Sequence, residues 1–211
     1  MNYKKIFGVG INDADYPVVL REKSEYSEGK RVQRVIWRCP FYVKWADMLR
    51  RCFSTNFQKR YPTYKDCSVC EEWLTFSNFK SWMEKQDWEG NCLDKDILFI
   101  SNKIYSPETC VFVSHLVNTF VLECQASGGT WPIGVTWNKE KQKFKAQCKN
   151  PFTCKTEHLG YFSDPVSAHQ AWLSRKRQLS IQLANIQDNI LVAEALVGRY
   201  DNYKAFIDER L

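Results

Sequence analysis

An acid-lysine-acid triplet, Asp94, Lys95 and Asp96, lies in an apolar stretch at 93–100 that has the composition of a buried strand. A turn rich in Asn, Ser and Pro follows, and Asn102 lies in it. Carboxylates at the end of a strand can hold a divalent metal ion, and a lysine beside them can bind a phosphate. A surface ion cluster is the alternative, and these residues alone leave both open.

Basic residues are concentrated in one part of the chain. The stretch 131–177 holds nine lysines and arginines against three acids, so its net charge of +6 equals that of all 211 residues. A localised basic block is expected of a module that contacts phosphate, and a solvated charged face is the alternative.

The bulk composition predicts a folded protein, with 44% hydrophobic and 15% aromatic residues. No apolar run approaches the roughly 20 residues of a membrane span, and the first residues lack a secretory signal, so we expect no membrane partner and a cytoplasmic location. Nine cysteines, an odd number, favour reduced thiols. A zinc site is a weaker alternative, because only one closely spaced pair is present. Its ligands would be Cys67, Cys70, Cys92 and Cys110.

Hydrophobic spacing predicts an α+β fold. Upstream of a Gly-rich linker at 126–130, two amphipathic helices are followed by a strand at 93–100, a turn, a second strand and a helix with Ser114 as its N-cap. The first helix buries Trp45, Met48, Leu49 and Cys52. The second buries Trp73, Phe76, Phe79, Trp82 and Met83.

Downstream, the pattern predicts a three-stranded antiparallel sheet and a helix. In the second strand Lys143, Lys145, Gln147 and Lys149 alternate with Phe144, Ala146 and Cys148, which gives one basic and one apolar face. Asp164 and Pro165 suit the start of the helix. A long final helix follows, with apolar residues at Leu179, Leu183, Ile186, Ile190, Ala193 and Val197. It packs on the rest of the chain or forms a homodimer; monomer and homodimer both stay open.

Four short motifs in this region resemble the AP2 DNA-binding domain: Gly134-Val135, Phe144-x-Ala146, Leu159-Gly160-x-Phe162, and Ala168 with Ala171. The resemblance implies that the sheet enters the major groove of double-stranded DNA while the helix supports it from behind. Lysines would mostly contact phosphate and the other polar side chains base edges. The residues implied are Thr136, Trp137, Asn138, Lys139, Lys141, Lys143, Lys145, Gln147, Lys149 and Lys155. Arginine is absent from the sheet, so no base preference is carried over.

The upstream half resembles phage-type HNH endonuclease-like proteins that carry such a domain, through "WADMLRRCF", "YPTY", "CEEW", "LDKDIL" and "NKIYSPETCVFV". The resemblance implies a viral or mobile-element origin, and hence the cytoplasm of a bacterial host. It divides the chain into an HNH-like domain with a ββα unit, the linker, an AP2-like domain and a C-terminal helical region. Their bounds are 1–125, 126–130, 131–178 and 179–211.

The HNH resemblance also implies a metal site, in which Asp94 and Asn118 hold Mg²⁺ or Mn²⁺ and Asn102 orients the general base. The position of the catalytic histidine is occupied by Lys95, and a lysine pKa near 10.4 leaves almost no free amine at neutral pH. Lys95 is therefore a poor base, and His115 is an alternative.

Two functions from different classes follow from these residues. The first is a metal-dependent DNA endonuclease or nickase of the homing type. The second is a catalytically inactive DNA binder that acts as a transcriptional repressor or regulator. An interaction protein that inhibits a host factor is a third hypothesis.

Overall fold

The structure, a computed structural model, describes residues 5–22, 25–27, 30–122 and 130–200. It confirms the α+β class. The chain forms two compact units, Met1–Phe112 and Val113–Leu211. The predicted linker 126–130 lies almost entirely outside the described residues, so the predicted domain bounds stay predictions. Within the described ranges, no helix combines the length and the apolar character that crossing a membrane requires.

Two helices supply most of the core of the first unit. Helix α1 (Pro40–Phe53) buries Trp45, Met48, Leu49 and Cys52, as its spacing predicts. Helix α3 (Phe76–Met83) buries Phe76, Phe79 and Met83 in the same cluster, and Trp82 is half-buried against it. Each fully buried side chain of this size contributes about 1.5–3 kcal/mol. Helix α2 (Thr55–Arg60) lies between them in sequence and buries no side chain.

The strands of the first unit form short pairs. Strand β1 (Val19–Arg21) pairs antiparallel with β4 (Val35–Arg38), and β2 (Glu25–Ser27) with β3 (Lys30–Val32). Strand β5 (Ser68–Val69) runs parallel to β7 (Ile104–Tyr105). Strand β6 (Cys92–Asp94) pairs with β8 (Val111–Val113).

The strand predicted over 93–100 is wrong beyond Asp94, where β6 ends. The Asp94 carboxylate accepts hydrogen bonds from the backbone N–H groups of Asp96 and Ile97, both at 2.7 Å. An Asp side chain that captures the amides two and three residues ahead turns the chain away from a strand ladder. The apolar residues that follow belong to a loop.

The second unit contains the predicted three-stranded antiparallel sheet. Its strands are β9 (Val135–Asn138), β10 (Lys143–Lys149) and β11 (Thr156–Phe162), with β10 in the middle. Helix α4 (His115–Leu122) precedes the sheet, and helix α5 (Pro165–Ala184) follows it. The Asp164 side chain accepts a hydrogen bond from Ser167 N at 2.7 Å, which confirms the predicted N-cap.

Helix α5 packs on one face of the sheet. Ala168 and Ala146 are fully buried between them, and half-buried Leu159 and Phe162 complete this small core. Gly134 has a φ of +80°, and a Cβ atom there would lie 2.1 Å from the Trp172 ring of the helix. Only glycine fits both the left-handed backbone and this close approach.

The final helix predicted from Leu179 onward is wrong at its start, because residues 179–184 belong to the preceding helix and the final helix begins only at Ile190. Helix α5 ends at Ala184, and helix α6 (Ile190–Gly198) begins after Asn189, whose side chain accepts hydrogen bonds from the N–H groups of Leu191 and Val192. This cap starts a new helix, which buries Val192 and Leu196. Ile186, Ile190 and Val197 of the predicted apolar stripe are exposed. Residues 201–211 of the predicted helix lie outside the described residues.

Candidate nucleic-acid interface and the Asp94 loop

The outer face of the sheet, which is the face away from α5, carries the lysines of β10. Phe144, Ala146 and Cys148 are buried, while Lys143, Lys145, Gln147 and Lys149 alternate with them and are exposed or half-buried. The predicted division into a basic and an apolar face is confirmed.

Strand β9 adds two polar side chains to the outer face. Thr136 lies directly opposite Lys145, and Asn138 lies opposite Lys143. Residues directly opposite each other in an antiparallel pair project from the same face. The outer face therefore carries, besides the lysines of β10, three more of the residues expected to contact DNA: Thr136, Asn138 and Gln147.

Strand β11 adds two rings that the sequence analysis missed. Tyr161 lies opposite Lys145 and His158 opposite Gln147, with Leu159 as the extra residue of a β-bulge. Their ring centroids are 4.6 Å apart. Strict alternation would put residues 158 and 161 on opposite faces, and the bulge puts both outward. Gly160, with a φ of +135°, was the one sequence signal for it.

The remaining expected lysines lie in the two turns of the sheet. Lys139 and Lys141 are in the β9–β10 turn, where the Asn138 carboxamide oxygen accepts a hydrogen bond from Lys141 N at 2.8 Å. The Lys141 ammonium lies 4.0 Å from the centroid of the Tyr161 ring, over the outer face. Lys155 is exposed in the β10–β11 turn, and its carbonyl accepts a hydrogen bond from Asn150 N.

Trp137 lies on the other face from the lysines. It is opposite Phe144 in the register, and the two rings meet edge to face with centroids 4.7 Å apart. This position at the edge of the apolar face separates Trp137 from the other expected DNA-binding residues of β9.

Glu157, the carboxylate of β11, forms its contacts on the face of the sheet that packs against α5. Glu157 accepts hydrogen bonds from Arg175 of α5 at 2.6 and 3.0 Å and from Asn150 at 2.7 Å. The Arg175 and Asn150 bonds lower the pKa of Glu157 to about 2, which keeps it ionised. Among the described residues, no carboxylate forms an ion pair with Lys139, Lys141, Lys143 or Lys145. The outer face therefore displays uncompensated positive charge.

The three expected catalytic residues meet in one loop of the first unit, residues 94–104. Lys95 is only 5% exposed, and its ammonium donates hydrogen bonds to the Asp96 carboxylate at 2.6 Å and to the Asn102 carbonyl at 2.8 Å. Asn102 donates from its side-chain amide to the carbonyls of Lys95 and Ile104 and accepts from Ile104 N. The charge of Lys95 is therefore turned inward and satisfied within the loop.

The expected metal ligands, Asp94 and Asn118, belong to different units. Asp94 is buried, and its Oδ1 accepts hydrogen bonds from two backbone amides. Asn118 is half-buried on α4.

Ser114 accepts a hydrogen bond from Val117 N, which confirms its predicted role as the N-cap of α4. The alternative base, His115, is exposed in the second unit with Nε2 3.4 Å from the Thr119 hydroxyl.

Of the four cysteines of the zinc alternative, Cys67 and Cys110 are buried, and Cys70 and Cys92 are half-buried. Burial raises the pKa of Cys110 to about 12, and it also raises the pKa of Cys67 and Cys70. Zinc binds cysteine as the thiolate, and burial holds these three thiols in the protonated form. Within the described ranges, His, Cys, Asp and Glu side chains form no group of three or more that could hold a metal ion.

No protein-family model, curated protein or solved structure matches this chain. The resemblances to AP2 and HNH proteins therefore stay predictions that rest on the sequence motifs.

Proposed function

We propose that the protein binds double-stranded DNA through the outer face of the β9–β11 sheet. The observation that carries the proposal is the row of lysines on this face. Among the described residues, no carboxylate forms an ion pair with Lys143 or Lys145 of this row. A major groove about 12 Å wide admits a β-ribbon. The opposite face of the sheet is covered by α5, so the outer face is the one that a duplex would meet.

Two kinds of contact are expected from this face. The lysines bind phosphates, which positions the protein on DNA of any sequence. Gln147, Asn138 and Thr136 have the donors and acceptors needed at base edges, so they would supply sequence preference. Lys145 lies between Thr136 and Tyr161 in the register and is the central cation of the face.

The test is fluorescence anisotropy with a duplex selected by the full-length protein from a random pool, in EDTA. Lys145→Ala and Lys149→Ala should each weaken binding about fivefold, since each removes one phosphate contact. Lys85→Ala, an exposed lysine of the first unit, is the matched control and should bind like the wild type. Unchanged affinity in both sheet variants would contradict the proposal.

Metal-dependent DNA nicking at Asp94 is the second candidate function. The observation in its favour is that Asp94, Lys95 and Asn102 lie in one loop, where the Asn102 amide fixes the backbone of Lys95. The oxygen atoms of Asp94 and Asn118 are of the type that Mg²⁺ and Mn²⁺ prefer. When bound, such an ion would stabilise charge on the phosphate.

The position of Lys95 favours a non-cutting DNA binder over a nickase. A general base needs an accepting lone pair, whereas this ammonium is buried and donates to two oxygen atoms. We therefore infer that the loop stabilises the first unit and that the protein acts as a repressor or regulator.

Incubation with supercoiled DNA separates these two functions. With Mg²⁺, Mn²⁺ or EDTA, the wild type should retard the DNA without nicking it, and Asp94→Asn should behave in the same way. Metal-dependent nicking by the wild type that is lost in Asp94→Asn would establish the nickase instead.

A further inference from the structure

Two bulky apolar side chains point into solvent at the tip of the Asp94 loop. Phe99 and Ile100 are 54% and 56% exposed, while Ile97, two residues earlier, is buried and anchors the loop in the first unit. Ile104, where the loop returns to strand β7, is also exposed. Exposed apolar side chains that cluster, rather than occur singly, indicate a binding surface.

Hydrogen bonds hold this tip in place. Asn102 N donates to the Phe99 carbonyl at 3.1 Å and closes the turn. The Asn102 side chain joins the two ends of the loop by bonding the carbonyls of Lys95 and Ile104. Because the base of the loop is closed in this way, Phe99 and Ile100 are presented by a preorganised turn, which lowers the entropic cost of binding.

Cations border the tip. The stretch 50–65 contains five lysines and arginines and no acid. Lys103, three residues after Ile100, donates from its ammonium to the Thr63 carbonyl at 3.0 Å, so the loop contacts this stretch on the C-terminal side of its tip. We call Lys59, Arg60, Lys65 and Lys103 the basic ridge. Exposed Tyr61 lies among them.

We propose that Phe99 and Ile100 form a wedge that inserts between base pairs of duplex DNA while the basic ridge contacts the flanking phosphates. The inference rests on the proposed DNA binding but uses a surface of the first unit. Apolar side chains unstack a base step and kink the duplex, and the cost is offset by added backbone contacts. The ridge supplies the positive charge that such contacts need.

A duplex suits this surface better than an anionic membrane does. The sheet of the second unit is a further basic surface, and its outer face is lined by side chains that donate and accept hydrogen bonds rather than by apolar ones. That face has the chemistry of a nucleic-acid site, so one ligand class accounts for both surfaces.

The test uses full-length protein and a duplex selected from a random pool, probed with permanganate, which oxidises unstacked thymines. The wild type should produce a hyperreactive thymine and a bend measured by end-to-end energy transfer. Phe99→Ala/Ile100→Ala should lose at least four-fifths of that reactivity and bind about tenfold more weakly, with the salt dependence unchanged. Ile36→Ala is the matched control, since Ile36 is 57% exposed and belongs to another strand pair of the same unit.

Three outcomes would overturn the wedge. If the wild type binds DNA without unstacking or bending it, the wedge is wrong and the proposed function stands. If the double variant unstacks DNA as the wild type does, the assignment to this tip is wrong. If the wild type binds no duplex, both proposals fail. Sedimentation with vesicles of phosphatidylcholine and phosphatidylserine would then show whether the tip binds lipid. If the double variant does not fold, as shown by the loss of its melting transition in circular dichroism, the single variant Phe99→Ser is used for the same test.

Discussion

The loop of the first unit and the sheet of the second use lysine in opposite ways. Lys95 is buried, and its charge is satisfied by the Asp96 carboxylate and the Asn102 carbonyl. Lys145 lies on the outer face of the sheet between Thr136 and Tyr161, and the described residues offer it no carboxylate. A buried cation must be matched by local acceptors, whereas a displayed cation keeps its attraction for an external anion. The first stabilises the fold, and the second is available to an external anion.

The largest expected effect comes from disrupting the packing of the sheet on helix α5, which holds the lysines of the outer face in place. Gly134→Ala places a methyl group 2.1 Å from the Trp172 ring and forces a residue with a side chain into a φ of +80°. We expect the second unit to lose about 3 kcal/mol or more and DNA binding to fall with it. Thermal unfolding followed by tryptophan fluorescence measures the loss. Gly198→Ala, with open space around its Cβ, should unfold like the wild type.

The variant Asn102→Ala tests whether the hydrogen-bond network of the Asp94 loop stabilises the first unit. The variant removes three hydrogen bonds and leaves the carbonyls of Lys95 and Ile104 without this donor. We expect urea unfolding to show a loss of about 2–3 kcal/mol from the first unit. Asn78→Ala, which removes one exposed bond to the Glu72 carbonyl, should cost under about 1 kcal/mol. Equal losses in the two variants would mean that the loop network stabilises nothing.

A smaller effect should separate the polar and charged residues of the outer face. Gln147→Ala is expected to reduce the preference for the selected duplex over a scrambled one by about 1–2 kcal/mol, because it removes a base contact. Lys143→Ala should weaken binding to both duplexes equally. Competition binding with the two duplexes measures the difference. A uniform loss in Gln147→Ala would assign Gln147 to the phosphates.

The smallest expected effect concerns the Glu157–Arg175 pair behind the sheet. The pKa of Glu157 is about 2 in the folded chain, below the unfolded value near 4.3, so the pair stabilises the fold above pH 4.3 and this contribution is lost as the pH falls towards 2. Glu157→Gln should lower Tm by roughly 3 °C at pH 7, since the pair is partly exposed, and by much less at pH 2, where about half of the Glu157 carboxyl groups are protonated. A difference in Tm that does not change with pH would contradict this assignment.

The spacing of apolar residues and the residues that cap helices predicted much of this structure. The alternation of β10 depends only on its own residues, and the Asp164 N-cap depends on atoms three residues apart, so both could be predicted. The end of β6 was missed, because the apolar residues after Asp94 have the composition of a buried strand and hide the local hydrogen bonds of its side chain. The bulge at Leu159, which brought His158 and Tyr161 to the outer face, was missed because alternation was the expected pattern.

The most direct test of the central claim is the salt dependence of DNA binding, in EDTA, for the wild type and for Lys141→Ala/Lys143→Ala/Lys145→Ala. Each phosphate contact contributes about −0.9 to the slope of log K against log salt concentration. If the outer face of the sheet meets the DNA backbone, the slope of the triple variant should be less negative by about 2.7. A triple variant with the slope of the wild type would contradict the account and place the DNA elsewhere on the molecule.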